Sequence, residues 1–118
     1  MNSTLPFRIA AVLGFLGVAL GAFGAHGLKE LLVRNGHLDD WHTAVLYHLI
    51  HVVVLVAITQ REPVGKAVWR LFVAGIVIFS GTLYILAVTN MRWLGAITPL
   101  GGVCLLAGWL GLALRPRG

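Results

Sequence analysis

Four apolar runs, each close to the length of a bilayer crossing, constrain this 118-residue chain more than any other feature. The hydrocarbon core of a membrane is about 30 Å thick and a helix rises about 1.5 Å per residue, so one crossing needs about 20 apolar residues. Runs of that kind cover about 7–26, 42–60, 67–89 and 93–114. What lies between them is too short for a second folded unit. The chain therefore reads as a single integral membrane domain, 1–118. The expected fold is all-α: four transmembrane helices in an antiparallel bundle, with a short interfacial amphipathic helix between the first and second. The 58% apolar and 11% charged content agrees. A soluble domain of this size leaves most of its surface wet and could not hide so much apolar area.

The formal charge of +5 would point to nucleic acid in a soluble protein, but here the basic residues sit in the gaps between apolar runs. No Lys/Arg stripe with interleaved aromatics exists to bind nucleic acid, so their role is orientation in the bilayer. The one cysteine, Cys104, lies inside a run and has no second cysteine to pair with.

The first run is read as a retained span, although Ala22 and Gly24 are small enough to imitate a signal-peptide cleavage site. Its Gly14, Gly17, Gly21 and Gly24 recur every three or four residues and so form one smooth stripe. In the fourth run Gly101, Cys104, Gly108 and Gly111 share a face in the same way. Such stripes let helices approach closely, which is how packing energy arises where lipid is as apolar as the helix. They are expected to pack within the bundle or against a larger membrane complex.

Between the first two runs, Leu28, Leu31 and Leu32 fall at helical spacing with Lys29, Glu30 and Arg34 on other faces, and Asn35-Gly36 supplies a stop. Asp39 and Asp40 are placed to cap the next helix. The loop Gln60 to Lys66 contains Pro63 and Gly65, and Pro99 is expected to bend the fourth span. Trp41, Trp69, Trp93 and Trp109 lie near span ends, as an aromatic belt would.

Polar side chains inside the spans are the only pointers to chemistry, since charge and hydrogen-bonding groups are costly there. His48 and His51, three residues apart, share a helix face with Ala44 and Leu55. An antiparallel arrangement brings His26, Tyr47, Ser80, Thr82, Tyr84 and Thr98 to similar or shallower depth, in one half of the bundle. Two readings are open. In the first, the histidines tie helices together through Ser80, Thr82, Tyr84 or Thr98. In the second, His26, His48, His51, Tyr47, Ser80, Tyr84 and Thr98 line a pocket for a metal, a haem, or a quinone-like or small polar ligand, with His26 and His48 meeting from facing helices. His48 and His51 leave the same face and could not be the two axial ligands of one haem. No carboxylate lies within a span to act as base or proton relay, no nucleophile triad or phosphate loop exists, and the chain reads as a non-enzyme with no cofactor.

Four stretches together, Gly21-Ala-Phe-Gly-Ala-His-Gly27, Trp41-His-Thr-Ala-Val-Leu-Tyr-His-Leu-Ile-His51, Phe79-Ser-Gly-Thr-Leu-Tyr84 and Gly95-Ala-Ile-Thr-Pro-Leu-Gly-Gly102, resemble the domain of unknown function 423 family. That family includes relatives of the mitochondrial transmembrane protein 256. The resemblance extends over nearly the whole chain and implies a small multi-helix protein of bacterial inner membranes. It implies no activity. The expected function is structural, accessory to a larger membrane complex or within a homo-oligomer, with the ligand-binding or transport reading as the alternative.

Four spans place both termini and the 60–66 loop on one side, which holds Arg8, Arg61, Lys66, Arg70, Arg115 and Arg117, six of the nine basic residues. The positive-inside rule puts that side, and both termini, in the cytoplasm. Reporter fusions at the C-terminus should be active only in cytoplasmic form; activity of a periplasmic reporter there would reverse the topology.

Overall fold

The computed structural model describes residues 4–61 and 65–115. Helix α1 runs Thr4–Ala25, α2 Lys29–Asn35 and α3 Leu38–Thr59. The third span, Lys66–Thr89, consists of α4 Lys66–Gly75, a π-helical turn Ile76–Ser80, and α5 Gly81–Thr89. The fourth, Arg92–Leu114, begins as a 3₁₀ segment, Arg92–Ala96, and continues as α6, Thr98–Leu114. All four are long and apolar enough to cross a membrane. Helix α1 packs on α3, α3 on the third span, and the third span on α6. The long axis of 50 Å matches the roughly 40–45 Å of a bilayer with its headgroups.

Helix α2 stops where Asn35-Gly36 predicts: Gly36 takes a left-handed conformation, φ 76°, and its N–H returns to the Leu32 and Val33 carbonyls. Asn35 Nδ2 then donates to the Ala87 and Val88 carbonyls, at 2.9 and 3.2 Å, which are among those left free at the end of α5. The interfacial helix thus closes the end of the third span.

Several expectations are corrected. Asp39 and Asp40 do not cap α3; they lie in its first turn, where their charge suits the helix dipole, and Asp40 accepts from His37 Nδ1 at 2.8 Å. Pro99 sits in the first turn of α6, where a missing amide costs nothing, just after the fourth span changes from the 3₁₀ segment Arg92–Ala96 to α-helix. Trp41 is only 2% exposed and Trp69 is buried too, so two of the four tryptophans are core residues instead of belt anchors. The glycine faces are not free for an outside partner. Pro63 and Arg117 lie outside the described residues.

Both stripes lie inside the bundle. Methyl groups at Gly14, Gly17 and Gly21 would press on Val52, Leu49 and Val45 of α3, and one at Gly24 would collide with the Trp41 indole. In α6, Gly108 faces Phe72, while Gly101 faces backbone: a methyl there would lie 2.7 Å from Phe79 Cα in the π-helical turn. Side chains can rotate away and backbone cannot. Gly101→Ala should therefore destabilise by about 1–3 kcal/mol. Gly81→Ala, which meets nothing within 4 Å, should be neutral or stabilising by up to about 1 kcal/mol, since alanine is the better helix former. Thermal unfolding in detergent compares the two; equal effects would contradict the backbone contact.

Candidate functional site

Helix α3 buries Ala44, His48, His51, Leu55 and Ile58, a succession of three- and four-residue steps that keeps one face turned inward, with Val52 beside it. His48 and His51 are 4% and 5% exposed. Both lie within about 4 Å of the middle of α3 along its axis, at the depth where water is scarcest.

Each ring uses both nitrogens. His48 Nε2 lies 2.8 Å from the Leu13 carbonyl of α1, and Nδ1 lies 2.8 Å from the Tyr84 hydroxyl of α5. A carbonyl only accepts, so Nε2 carries a hydrogen, and in the neutral ring Nδ1 accepts from Tyr84. His51 is the reverse. Its Nδ1 donates to the Tyr47 carbonyl one turn back, at 2.7 Å, and its Nε2 accepts from the indole N–H of Trp109 in α6, at 3.0 Å. Indole only donates, which fixes the assignment. Two histidines one turn apart are thus held as opposite tautomers, and between them they join α3 to all three other spans.

Other bonds reinforce the same contacts. Trp41 Nε1 donates to the Leu20 carbonyl of α1 at 2.9 Å. Ser80 Oγ donates to the Ala44 carbonyl at 2.7 Å, and Thr82 and Thr98 pair hydroxyl to hydroxyl at 2.7 Å between the third and fourth spans. Each hydroxyl also has a carbonyl one turn back on its own span, Ile78 at 2.6 Å from Thr82 and Leu94 at 3.2 Å from Thr98, so the pair shares its two hydrogens among three contacts. Tyr84 is held from its other side by Trp41, with ring centroids 4.8 Å apart.

Of the residues singled out in the sequence, His48, His51, Ser80, Tyr84 and Thr98 enter this network. His26 does not: it is exposed just past the end of α1, because α1 ends at Ala25 and the chain turns outward into α2. The expected meeting of His26 and His48 is absent, and both His48 nitrogens already have partners. Tyr47 is 42% exposed and contributes its carbonyl to His51 and its ring to Phe79, centroids 4.8 Å apart. Sequence reasoning missed Trp109 and Trp41, whose N–H groups it gives to the membrane surface, and the carbonyls of Leu13 and Leu20. It also missed His37, whose Nε2 lies 2.7 Å from Asn90 Oδ1, where Asn90 ends α5 in a left-handed conformation. An indole within two turns of a span end and on the buried face is the signal that could have revealed Trp109.

A metal or haem iron needs an unprotonated ring nitrogen with its lone pair free. In His48 that nitrogen takes the Tyr84 hydrogen, and in His51 the Trp109 hydrogen. Nor do three His, Cys, Asp or Glu side chains converge on a metal position among the described residues. What the arrangement does chemically is satisfy polar groups in hydrocarbon.

Residues 20–102 match the family model described as protein of unknown function (DUF423). The chain is 46% identical over 109 residues to the UPF0382 membrane protein YwdK of Bacillus subtilis, covering 86% of this chain and 87% of that one. It is 39% identical over 113 residues to the UPF0382 inner membrane protein YgdD of Escherichia coli, covering 92% and 86%. A fungal relative, the UPF0382 membrane protein C1782.12c of Schizosaccharomyces pombe, is 36% identical over 110 residues, covering 87% and 93%. No solved structure matches.

The tautomers are directly observable. In ¹⁵N-labelled protein, His48 should show its proton on Nε2 and His51 on Nδ1, and Tyr84→Phe should perturb the His48 Nδ1 signal while sparing His51. The same tautomer at both positions would contradict the network.

Proposed function

This chain belongs to the DUF423 family of membrane proteins of unknown function, and from that premise we propose that it performs no chemistry of its own and serves as a structural or accessory component of a larger assembly in the cell inner membrane. The observation that carries this reading is the full commitment of His48 and His51: the two histidines at mid-span, the groups best suited to ligate or move protons, have no nitrogen left for a ligand. The inner-membrane assignment draws on the name of the Escherichia coli relative, and cytoplasmic termini on the six-to-three distribution of basic residues.

Since the glycine stripes are occupied inside the bundle, an assembly partner or a second copy would meet large apolar side chains. Phe15 and Val18 of α1 and Leu106 and Leu110 of α6 are the exposed examples.

The test uses native membranes taken into polymer-bounded discs without detergent and resolved by native electrophoresis after brief crosslinking. The protein should migrate in a species far larger than its 12.7 kDa, and His48→Gln should remain in that species with only a modest loss of thermal stability. Glutamine replaces one donor and one acceptor, and a membrane hydrogen bond is worth about 0.6 kcal/mol on average. A monomer carrying a metal, haem or organic ligand that His48→Gln abolishes would overturn the reading in favour of a ligand site.

A further inference from the structure

Helices α3 and α6 run parallel, being the second and fourth of four alternating spans, so their C-terminal ends reach the same membrane face. Between those ends lies an open groove of about 490 Å³. Its floor and walls include Val53, Ala57 and Leu112, with Trp109 at its deep end, and Arg61 and Arg115 at its mouth. From Val53 to Arg61 is about 12 Å along α3, and half the hydrocarbon thickness is about 15 Å. The groove is therefore about one leaflet deep: apolar where acyl chains lie, and cationic at the depth of phosphates.

Charge decides what fits. The loop and tail at this face, with the start of the third span, carry Arg61, Lys66, Arg70, Arg115 and Arg117 against one acid, Glu62. Arg115 lies across Gly65, whose lack of a side chain leaves room for the guanidinium: a methyl there would come within 2.7 Å of Nη1. A second copy of the chain docking by two-fold symmetry would bring each groove's arginines against the other's, which like charges oppose. A basic pocket between spans at the membrane surface instead complements an anionic headgroup, and guanidinium binds phosphate through paired N–H groups. We propose that this groove seats one anionic phospholipid, its phosphate between Arg61 and Arg115 and an acyl chain along Val53, Ala57 and Leu112 beside Trp109.

The full-length protein, purified in nonionic detergent and stripped of lipid, is offered phosphatidylglycerol and phosphatidylcholine with identical acyl chains, and adducts are counted by native mass spectrometry. Phosphatidylglycerol should be favoured about tenfold, because both lipids carry the phosphate but only phosphatidylcholine adds a quaternary ammonium that cancels its charge and is repelled by the two guanidiniums. R61Q/R115Q should bring that preference to within about twofold of unity. Ala57→Phe, which fills the groove, should weaken both lipids, and Arg34→Gln at the opposite face should change neither. If the double variant does not fold, Arg61→Gln, at an exposed position, together with Ala57→Phe decides the matter. Equal binding of the two lipids to the parent would overturn the proposal, as would an unchanged preference in Arg61→Gln or a normal level of binding in Ala57→Phe. So would displacement of the lipid by millimolar inorganic phosphate, which would mark a headgroup site without an acyl-chain groove.

Discussion

Hydrocarbon offers a polar atom no water to fall back on, and the His48 ring is positioned by that constraint. Its two nitrogens find a carbonyl in α1 and a hydroxyl in α5, and meeting both at once ties α3 to a position between those helices. The yield of each such bond is small, about 0.6 kcal/mol on average in membranes, whereas a group left unpaired there costs several kcal/mol. The network consequently selects one arrangement more than it strengthens it. The α1–α3 contact illustrates the point: Trp41 reaches Leu20 and His48 reaches Leu13, so partners seven residues apart on one helix meet partners seven apart on the other. A slide of one turn along the antiparallel pair would break both bonds at once.

Those bonds depend on close approach, and the glycines supply it. Gly24 leaves the space that the Trp41 indole fills on its way to the Leu20 carbonyl, and Gly17 does the same beside the His48 ring. On the other side of the bundle Gly101 admits the backbone of the π-helical turn, next to Ser80, which bonds to Ala44 of α3, and Thr82, which bonds to Thr98 of α6. Packing and hydrogen bonding are one construction here.

Much of this was legible in the sequence. Apolar run length located the spans, Asn35-Gly36 located the end of α2, and the three-residue spacing of His48 and His51 placed both on one inner face. The family, too, was carried by four short stretches. Hydrogen-bond partners were less readable. Half of them for the two histidines are backbone carbonyls, at Leu13 and Tyr47, which every residue possesses and no side chain advertises. Tryptophan near a span end has two ordinary uses, and only the angular position of Trp41 and Trp109 around their helices separates them. His26 was misplaced because its neighbours suggested a packed corner, while its own position just beyond the last turn of α1 turns it outward. The π-helical turn left no signal, since one extra residue inside an apolar run of 24 changes neither its length nor its hydropathy enough to notice.

The long separation between His51 and Trp109, 58 residues, has a meaning for the birth of the protein as well as for its finished form. When the second span leaves the insertion machinery, His48 already has its Leu13 carbonyl in the span made before it. The ring nitrogen of His51 that awaits an indole hydrogen must wait for the fourth span. At translation speeds of about 5–20 residues per second that interval is about 3–12 s, during which a bare imidazole lone pair sits near the centre of the membrane. A nascent chain in that state carries one unpaired acceptor, and the fourth span is the one that supplies its hydrogen.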